Sequence, residues 1–390
     1  MTNFIRSQSI FLTILLITSP AFSIIASAGF MFIPNEKLAL LFILIKKSSW
    51  RQEFKQIRYF SAVVAGILGF LFLIQMLADT GGEIVASLNS IFIIISIPFY
   101  LSYFSSHTFL VCKSIFYVAV LQMLVSVTQQ YFMMTGSYEL ASIFNNYSYQ
   151  SEYLYPVGET GFFFRTSGLF NESSNYAVFQ WLAVICAIKA GLDKHILNKI
   201  LIGIVIVEVI INGALTGYLF ISAFVFITII QKFKYKSIFF KLVIGIIFFI
   251  FSIRILNING YFDFLELLVK IEGQFDFINN NYSTKPSRLA GMFKSIELSL
   301  SSDSVLWGRG FSWDSPTLDI YSLYINAFGV TGFLALLLFV CLLVREAPWN
   351  YRVAVFVAFS INGHLSMAVN ILLLSMPMVM KKINQISGYR

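Results

Sequence analysis

Residues 59–77 read YFSAVVAGILGFLFLIQML, from Tyr59 to Leu77, without one charged side chain. Crossing the hydrocarbon of a bilayer takes about 20 mainly apolar residues in helical form, because the backbone there must satisfy its own hydrogen bonds. The stretch shows no clean alternation of period two, so it reads as a helix that meets lipid rather than as a strand. Just before it stand Lys46, Lys47, Arg51, Lys55 and Arg58. A basic cluster flanking an apolar run marks the cytoplasmic side of a span.

Working outward, the same pattern predicts spans near residues 89–104, 112–134, 175–190, 196–211, 215–230, 237–256, 319–344, 351–361 and 367–380. Before the first basic cluster, residues 10–28 look like a signal peptide, with Arg6 ahead of the apolar run and Ala26-Ser27-Ala28 after it. Apolar character continues to Ile45, however, which favours two short retained spans broken near Pro20. The expected fold class is therefore an all-α integral membrane protein of about twelve transmembrane helices. It forms a single domain over residues 1–390, with both termini cytoplasmic. Composition agrees: 58% of residues are hydrophobic and 12% charged, against roughly 25% charged in soluble domains. The mean hydropathy is +0.79.

A net charge of +8 raises the question of nucleic acid, and the distribution of that charge answers it. The remaining basic clusters, at Lys232, Lys234, Lys236 and Lys241 and at Lys381, Lys382 and Arg390, also flank apolar runs. A nucleic-acid surface needs one basic stripe with reading elements, which is missing. Cys112, Cys186 and Cys341 fall in or beside predicted spans with no CxxC, so no disulfide framework follows. His107, His195 and His364 are scattered without metal-ligand spacing. No metal site is expected.

Two long polar loops interrupt this apolar chain, residues 135–174 and 257–318, and the charge pattern puts both outside. The first contains Arg165-Thr166-Ser167-Gly168-Leu169-Phe170-Asn171; its other charges are the acids Glu139, Glu152, Glu159 and Glu172. An arginine held near the membrane surface suits a diphosphate lipid, because its planar fork donates paired hydrogen bonds to phosphate oxygens and keeps its charge. The competing reading is a salt bridge with Glu159 or Glu172. The second loop offers Arg288 and the turn Gly308-Arg309-Gly310, with Trp307, Phe311 and Trp313 interleaved. Glycines there permit close backbone approach and positive φ; the aromatics stack on sugar faces or anchor the loop at the interface.

The second loop also predicts short amphipathic helices. Thr284 or Ser287 caps one entered through Pro286, with Leu289, Met292, Phe293, Ile296 and Leu300 on one face. Residues 260–275 read as another. Candidate general bases are Glu172, Asp303, Asp314 and Asp319, of which Asp319 opens a span and is held at the membrane face. Glu208 differs from these because it lies inside the apolar run 200–211, one turn from Asn212-Gly213. A structural partner and a part in catalysis are equally open for it.

With these residues in hand, the chain resembles the O-antigen polymerase and O-antigen ligase superfamily of bacterial envelope glycosyltransferases. The first match runs from Arg165 through Gly168, Phe170 and Asn171 to Asn175 and Ala177 at the start of a span. The second runs from Arg288 through Gly308 and Gly310 to Tyr324, Gly329 and Gly332. Both lie within about residues 163–335. The ligase branch carries a His-Asn pair where this chain has Leu318-Asp319-Ile320-Tyr321, and Ser-Arg where this chain has Leu215-Thr216-Gly217; both departures favour the polymerase branch.

The resemblance implies an enzyme of the bacterial inner membrane that takes undecaprenyl-diphosphate-linked oligosaccharide as its substrate. It implies no nucleotide or metal cofactor, a chain-length regulator protein as a further partner, and a place in lipopolysaccharide biosynthesis. By that resemblance Arg165, Arg288 and Arg309 hold diphosphate, with Asn171, Gly308 and Gly310 beside them. Asp319, Asp314 or Glu172 serves as base. The rival readings are a ligase transferring finished polymer to the lipid A core, and a transporter of lipid-linked sugars.

Overall fold

The structure, a computed structural model, describes residues 2–18, 35–46, 50–78, 84–137, 140–141, 156–157, 163–164, 166–170, 173–212, 215–232, 304–310, 320–359 and 368–388. Within them the chain is mainly helical. Helices α1 (Thr2–Thr18) and α2 (Asn35–Leu44) precede α3 (Lys55–Leu77), α4 (Ile84–Ser105) and α5 (Thr108–Met134). A two-residue antiparallel pair follows, β1 (Pro156–Val157) with β2 (Phe163–Phe164). Then come α6 (Ser173–Lys189), α7 (Ile196–Asn212), α8 (Leu215–Lys232), α9 (Ile320–Val344), α10 (Trp349–Phe359), α11 (Ala368–Ser375) and α12 (Pro377–Gly388).

Among the described residues four stretches are long and apolar enough to cross a membrane: Gln52–Leu77, Ser87–Ser105, Thr108–Met134 and Leu323–Val344. Helix α3 shows why they belong in lipid. One side packs inward through Val64, Leu68, Leu71 and Phe72, while Tyr59, Val63, Ile67, Phe70, Leu73 and Leu77 are exposed along the other. A helix that is apolar on its outer face as well as its inner one has no stable place at a water interface. Helices α5 and α7 repeat the arrangement, with Leu124, Val127 and Tyr131, and Ile200, Ile204 and Val207, turned outward. The centre is filled by α6, buried from Ser174 to Ala187, and by α4, where Ile93, Ile97, Leu101 and Phe104 are buried.

Side-chain contacts set the direction of each helix. Trp50 meets Phe99 edge-on, with ring centroids 5.0 Å apart, and the Arg58 guanidinium lies 5.9 Å from the same ring. The start of α3 therefore adjoins the end of α4. Gln180 of α6 donates to the Ala119 carbonyl of α5 at 3.0 Å, and Tyr176 of α6 and Ser126 of α5 meet on one carboxyl, that of Glu208. These two helices run antiparallel. Lys382 of α12 donates to the Ser105 carbonyl at the α4–α5 turn, 2.7 Å away. Lys381 pairs with Glu346 in the α9–α10 link at 2.6 Å, and Asn350 of α10 donates to the Thr228 hydroxyl near the end of α8 at 2.8 Å.

These contacts sort the cations. One end of the bundle gathers Arg51, Lys55, Arg58, Lys113, Lys189, Lys199, Arg345, Lys381 and Lys382. At the opposite end lie the last turns of α3, α5 and α7 and the first turns of α6 and α9, with Arg309 exposed there and Lys37 in the first turn of α2.

Two expectations change in detail. The span expected over 367–380 is two helices, because the chain leaves the helix at Met376 and restarts at Pro377, a residue suited to a first helical turn since its missing N–H has no partner there anyway. The first helix starts at Thr2 and stops at Thr18, ahead of Pro20. The span expected at 237–256, residues 257–303 with the amphipathic segments of the second loop, and His364 lie outside the described residues.

Candidate functional site: two loop segments strapped to one end of the bundle

The first long loop returns to the bundle through residues 166–170, which glutamines and an asparagine hold down. Gln129 of α5 pairs with both backbone groups of Gly168: its Nε2 donates to the carbonyl at 2.9 Å and its Oε1 accepts the N–H at 3.0 Å. One helical repeat earlier, the Gln122 Oε1 accepts the Leu169 N–H at 2.6 Å, and its Nε2 donates to the Thr18 carbonyl at the end of α1 at 3.0 Å. Asn212, the last residue of α7, donates through Nδ2 to the Thr166 carbonyl at 2.5 Å and to the Thr166 hydroxyl at 3.0 Å. Gln122, Gln129, Asn212 and Thr166 are fully buried. The straight amides thus act as spare backbone, completing hydrogen bonds that a loop has no ladder to make.

Within this strap the Phe170 N–H closes a turn on the Ser167 carbonyl at 2.9 Å, and the Phe170 ring packs 5.4 Å from that of Phe179. Gly168 has φ +58°, and a Cβ there would lie 2.6 Å from the Gln122 Oε1 and 3.0 Å from the Tyr176 ring. Glycine is required both by the left-handed backbone and by the amide above it.

Beneath the strap sits Glu208. It accepts from the Ser126 hydroxyl on Oε1 and from the Tyr176 hydroxyl on Oε2, the latter at 2.5 Å. Ser126 also shares a hydrogen bond with the Thr166 hydroxyl at 2.5 Å. The carboxyl is thus tied to the strap through one intervening side chain.

The second strap, residues 304–310, docks into a break in α9. Gly329 leaves helical geometry with φ 66° and ψ −172°, which frees carbonyls of the preceding turn. The Arg309 N–H donates to the Asn326 carbonyl at 2.9 Å and the Gly310 N–H to the Ala327 carbonyl at 3.0 Å, while the Val330 N–H returns to the Val305 carbonyl at 2.9 Å. Gln75, near the end of α3, donates through Nε2 to the Trp307 carbonyl at 2.5 Å and the Ala327 carbonyl at 2.6 Å. Cβ atoms built on Gly308 or Gly329 would lie 2.5 Å from the backbone of Ala327 or Leu306 respectively. Two backbones meet here with no room for a side chain.

The Gly308-Arg309-Gly310 turn spends all three of its N–H groups inside the fold, that of Gly308 on the Ser304 carbonyl at 2.7 Å. What it presents outward is the exposed side chain of Arg309. Arg165, Asn171, Glu172, Arg288, Asp303, Asp314 and Asp319 lie outside the described residues. Arg165 is bonded to the first residue of one strap, and Arg309 belongs to the other. Among the described residues no group of three or more His, Cys, Asp or Glu stands together as a metal site would need.

Sequence reasoning passed over Gln75, Gln122, Gln129, Ser126 and Tyr176, and noted Asn212 only as a neighbour of Glu208. A signal was present in the uncharged amides inside apolar runs, two of them seven residues apart on one helix face, since a polar group at membrane depth must find a partner. Comparison with family models, characterised proteins and solved structures gives no match.

Proposed function

We propose that the chain is a glycosyltransferase of the bacterial cytoplasmic membrane that polymerises O-antigen repeat units carried on undecaprenyl diphosphate. The observation that carries this reading is the shared placement of the two straps. The segment bonded to Arg165 and the segment holding Arg309 are pinned to one end of the bundle, away from the basic end. Under the positive-inside rule the basic end is cytoplasmic and the straps face outward, in a chain of about twelve spans with both termini inside.

In the reaction, a hydroxyl of the non-reducing sugar of a new lipid-linked unit attacks the sugar carbon that joins the growing chain to its lipid diphosphate. The new C–O bond forms as the old one breaks, the diphosphate leaves with the bonding electron pair, and the hydroxyl proton passes to a carboxylate. Arg165 and Arg288, with Arg309, hold the diphosphates and offset the leaving group's charge. Gly308 and Gly310 set the position of Arg309, and Asn171 lies in the same loop as Arg165. Asp319, Asp314 or Glu172 takes the proton. The diphosphate supplies the driving force, so no nucleotide takes part, and a chain-length regulator protein would meet the same membrane domain.

A further support is an apolar groove of about 550 Å³ on the outward side of α3, lined by Val63, Gly66, Ile67 and Phe70 and reaching Trp307. A lipid tail fits such a surface.

The test is the lipopolysaccharide of a deletion strain. Single-unit bands are expected, where loss of a ligase would leave core alone. Complementation with Arg165→Ala or Arg288→Ala should fail to restore the ladder, since one preorganised contact to a developing charge is worth about 2.7–4 kcal/mol. Full ladders from both variants at normal expression would overturn the site assignment. Extension of lipid-linked units by purified protein in detergent would exclude a role in transport alone.

A further inference from the structure

Glu208 stands among isoleucines and valines of α7, 7% exposed, and the hydrogen bonds around it run in one direction. The Asn212 amide has only hydrogens to give from Nδ2, and it gives them to the carbonyl and hydroxyl of Thr166. With Ser126 donating its one hydrogen to Glu208, the bond between Ser126 and Thr166 must be donated by Thr166. The chain of donors is therefore Asn212 to Thr166 to Ser126 to Glu208, and Tyr176 closes on the second carboxyl oxygen. Four side chains from α5, α6 and α7 thereby fix a single loop residue, and that residue is the one bonded to Arg165.

From this geometry we infer that Glu208 is a positioning residue for the strap of residues 166–170, which follows Arg165 in the chain. It is the common acceptor on which the network ends, and without it Ser126 is free to turn away from Thr166 while the buried Tyr176 hydroxyl loses its partner. The role in catalysis rests on the polymerase reading given above; the role in holding the strap does not. Glu208 lies beneath the strap and acts through Thr166, so its loss loosens the backbone that follows Arg165 rather than altering the chemistry of a reacting atom.

The experiment compares hydrogen exchange and chain extension in purified full-length protein carrying Glu208→Leu, Glu208→Gln or Ser126→Ala. Exchange in the peptide covering residues 163–170 should quicken at least tenfold in Glu208→Leu and Ser126→Ala, with α5, α6 and α7 unchanged. Extension should fall at least tenfold in both. Glu208→Gln, which keeps an acceptor oxygen in place, should recover most of each. Unchanged exchange at 163–170 in Glu208→Leu, or exchange raised equally throughout the bundle, would overturn the inference. So would full extension by a variant whose strap exchanges fast. A wild-type protein that extends nothing would instead remove the polymerase reading and leave the exchange result standing.

Discussion

At the residue scale, the molecule depends on glycines whose demands differ. Gly308 has φ +77°, and its built Cβ falls 2.5 Å from the Ala327 backbone, so Gly308→Ala must both strain the turn and push the strap off α9. A loss of more than about 1 kcal/mol is expected, read as a lower unfolding temperature in detergent. Gly66→Ala is the contrast, since nothing lies within 4 Å of its built Cβ and its φ is ordinary. It should be neutral or stabilising by up to about 1 kcal/mol; a Gly66→Ala protein destabilised as much as Gly308→Ala would sink the distinction. Gln129→Leu belongs with the first case. It strips both partners from Gly168, at about 1–3 kcal/mol for each orphaned buried group. The amides were hard to read in the sequence because a polar side chain in an apolar run announces a partner without naming it; for Gln129 that partner is a loop backbone 39 residues away. The glycines of the second strap were legible as glycines that matter, while their use, backbone against backbone across a helix break, required the third dimension.

At the element scale, the apolar runs that fall on described residues are helices. Helices α3, α5, α6, α7 and α8 end within a few residues of the expected spans, because length and hydropathy are the properties lipid selects. What hydropathy does not encode is a stop inside an apolar stretch, hence the division at Met376. Helix α12 is tied back to the α9–α10 link by the Lys381–Glu346 pair, whose side chains are 41% and 33% exposed. The hydrogen bond from Lys381 holds the Glu346 carboxyl below the ordinary carboxylate range. A carboxyl lowered on folding stabilises the fold above its unfolded value and loses that contribution as pH falls through its folded one. Unfolding temperatures of wild type and Glu346→Gln should therefore differ at neutral pH, by no more than about 1 kcal/mol for so exposed a pair, and converge below about pH 4. A gap that widens in acid would refute the assignment.

At the scale of the whole molecule, the sorting of cations to one end makes a topological prediction. In a Cys341→Ser background, an Arg309→Cys protein should react with a membrane-impermeant maleimide on intact spheroplasts, and a Lys382→Cys protein should react only after permeabilisation. Equal reaction at both positions from outside would break the two-ended description. Charge bias is the sequence's argument for that orientation, whereas the meeting of α3 and α5 with two separate loops did not show there, because those contacts span 39 to 252 residues of chain. The two anchors have a mechanical corollary. Helices α3 and α5 both pack on α4, α4 turns directly into α5 at Ser106 and His107, and Ser61 of α3 is hydrogen-bonded to the Ile94 carbonyl of α4. They behave as the jaws of a caliper with α4 as its beam. A change of side chain around Ile94 or Pro98, both buried in α4, should therefore be felt by both helices that hold a strap, although neither residue touches one.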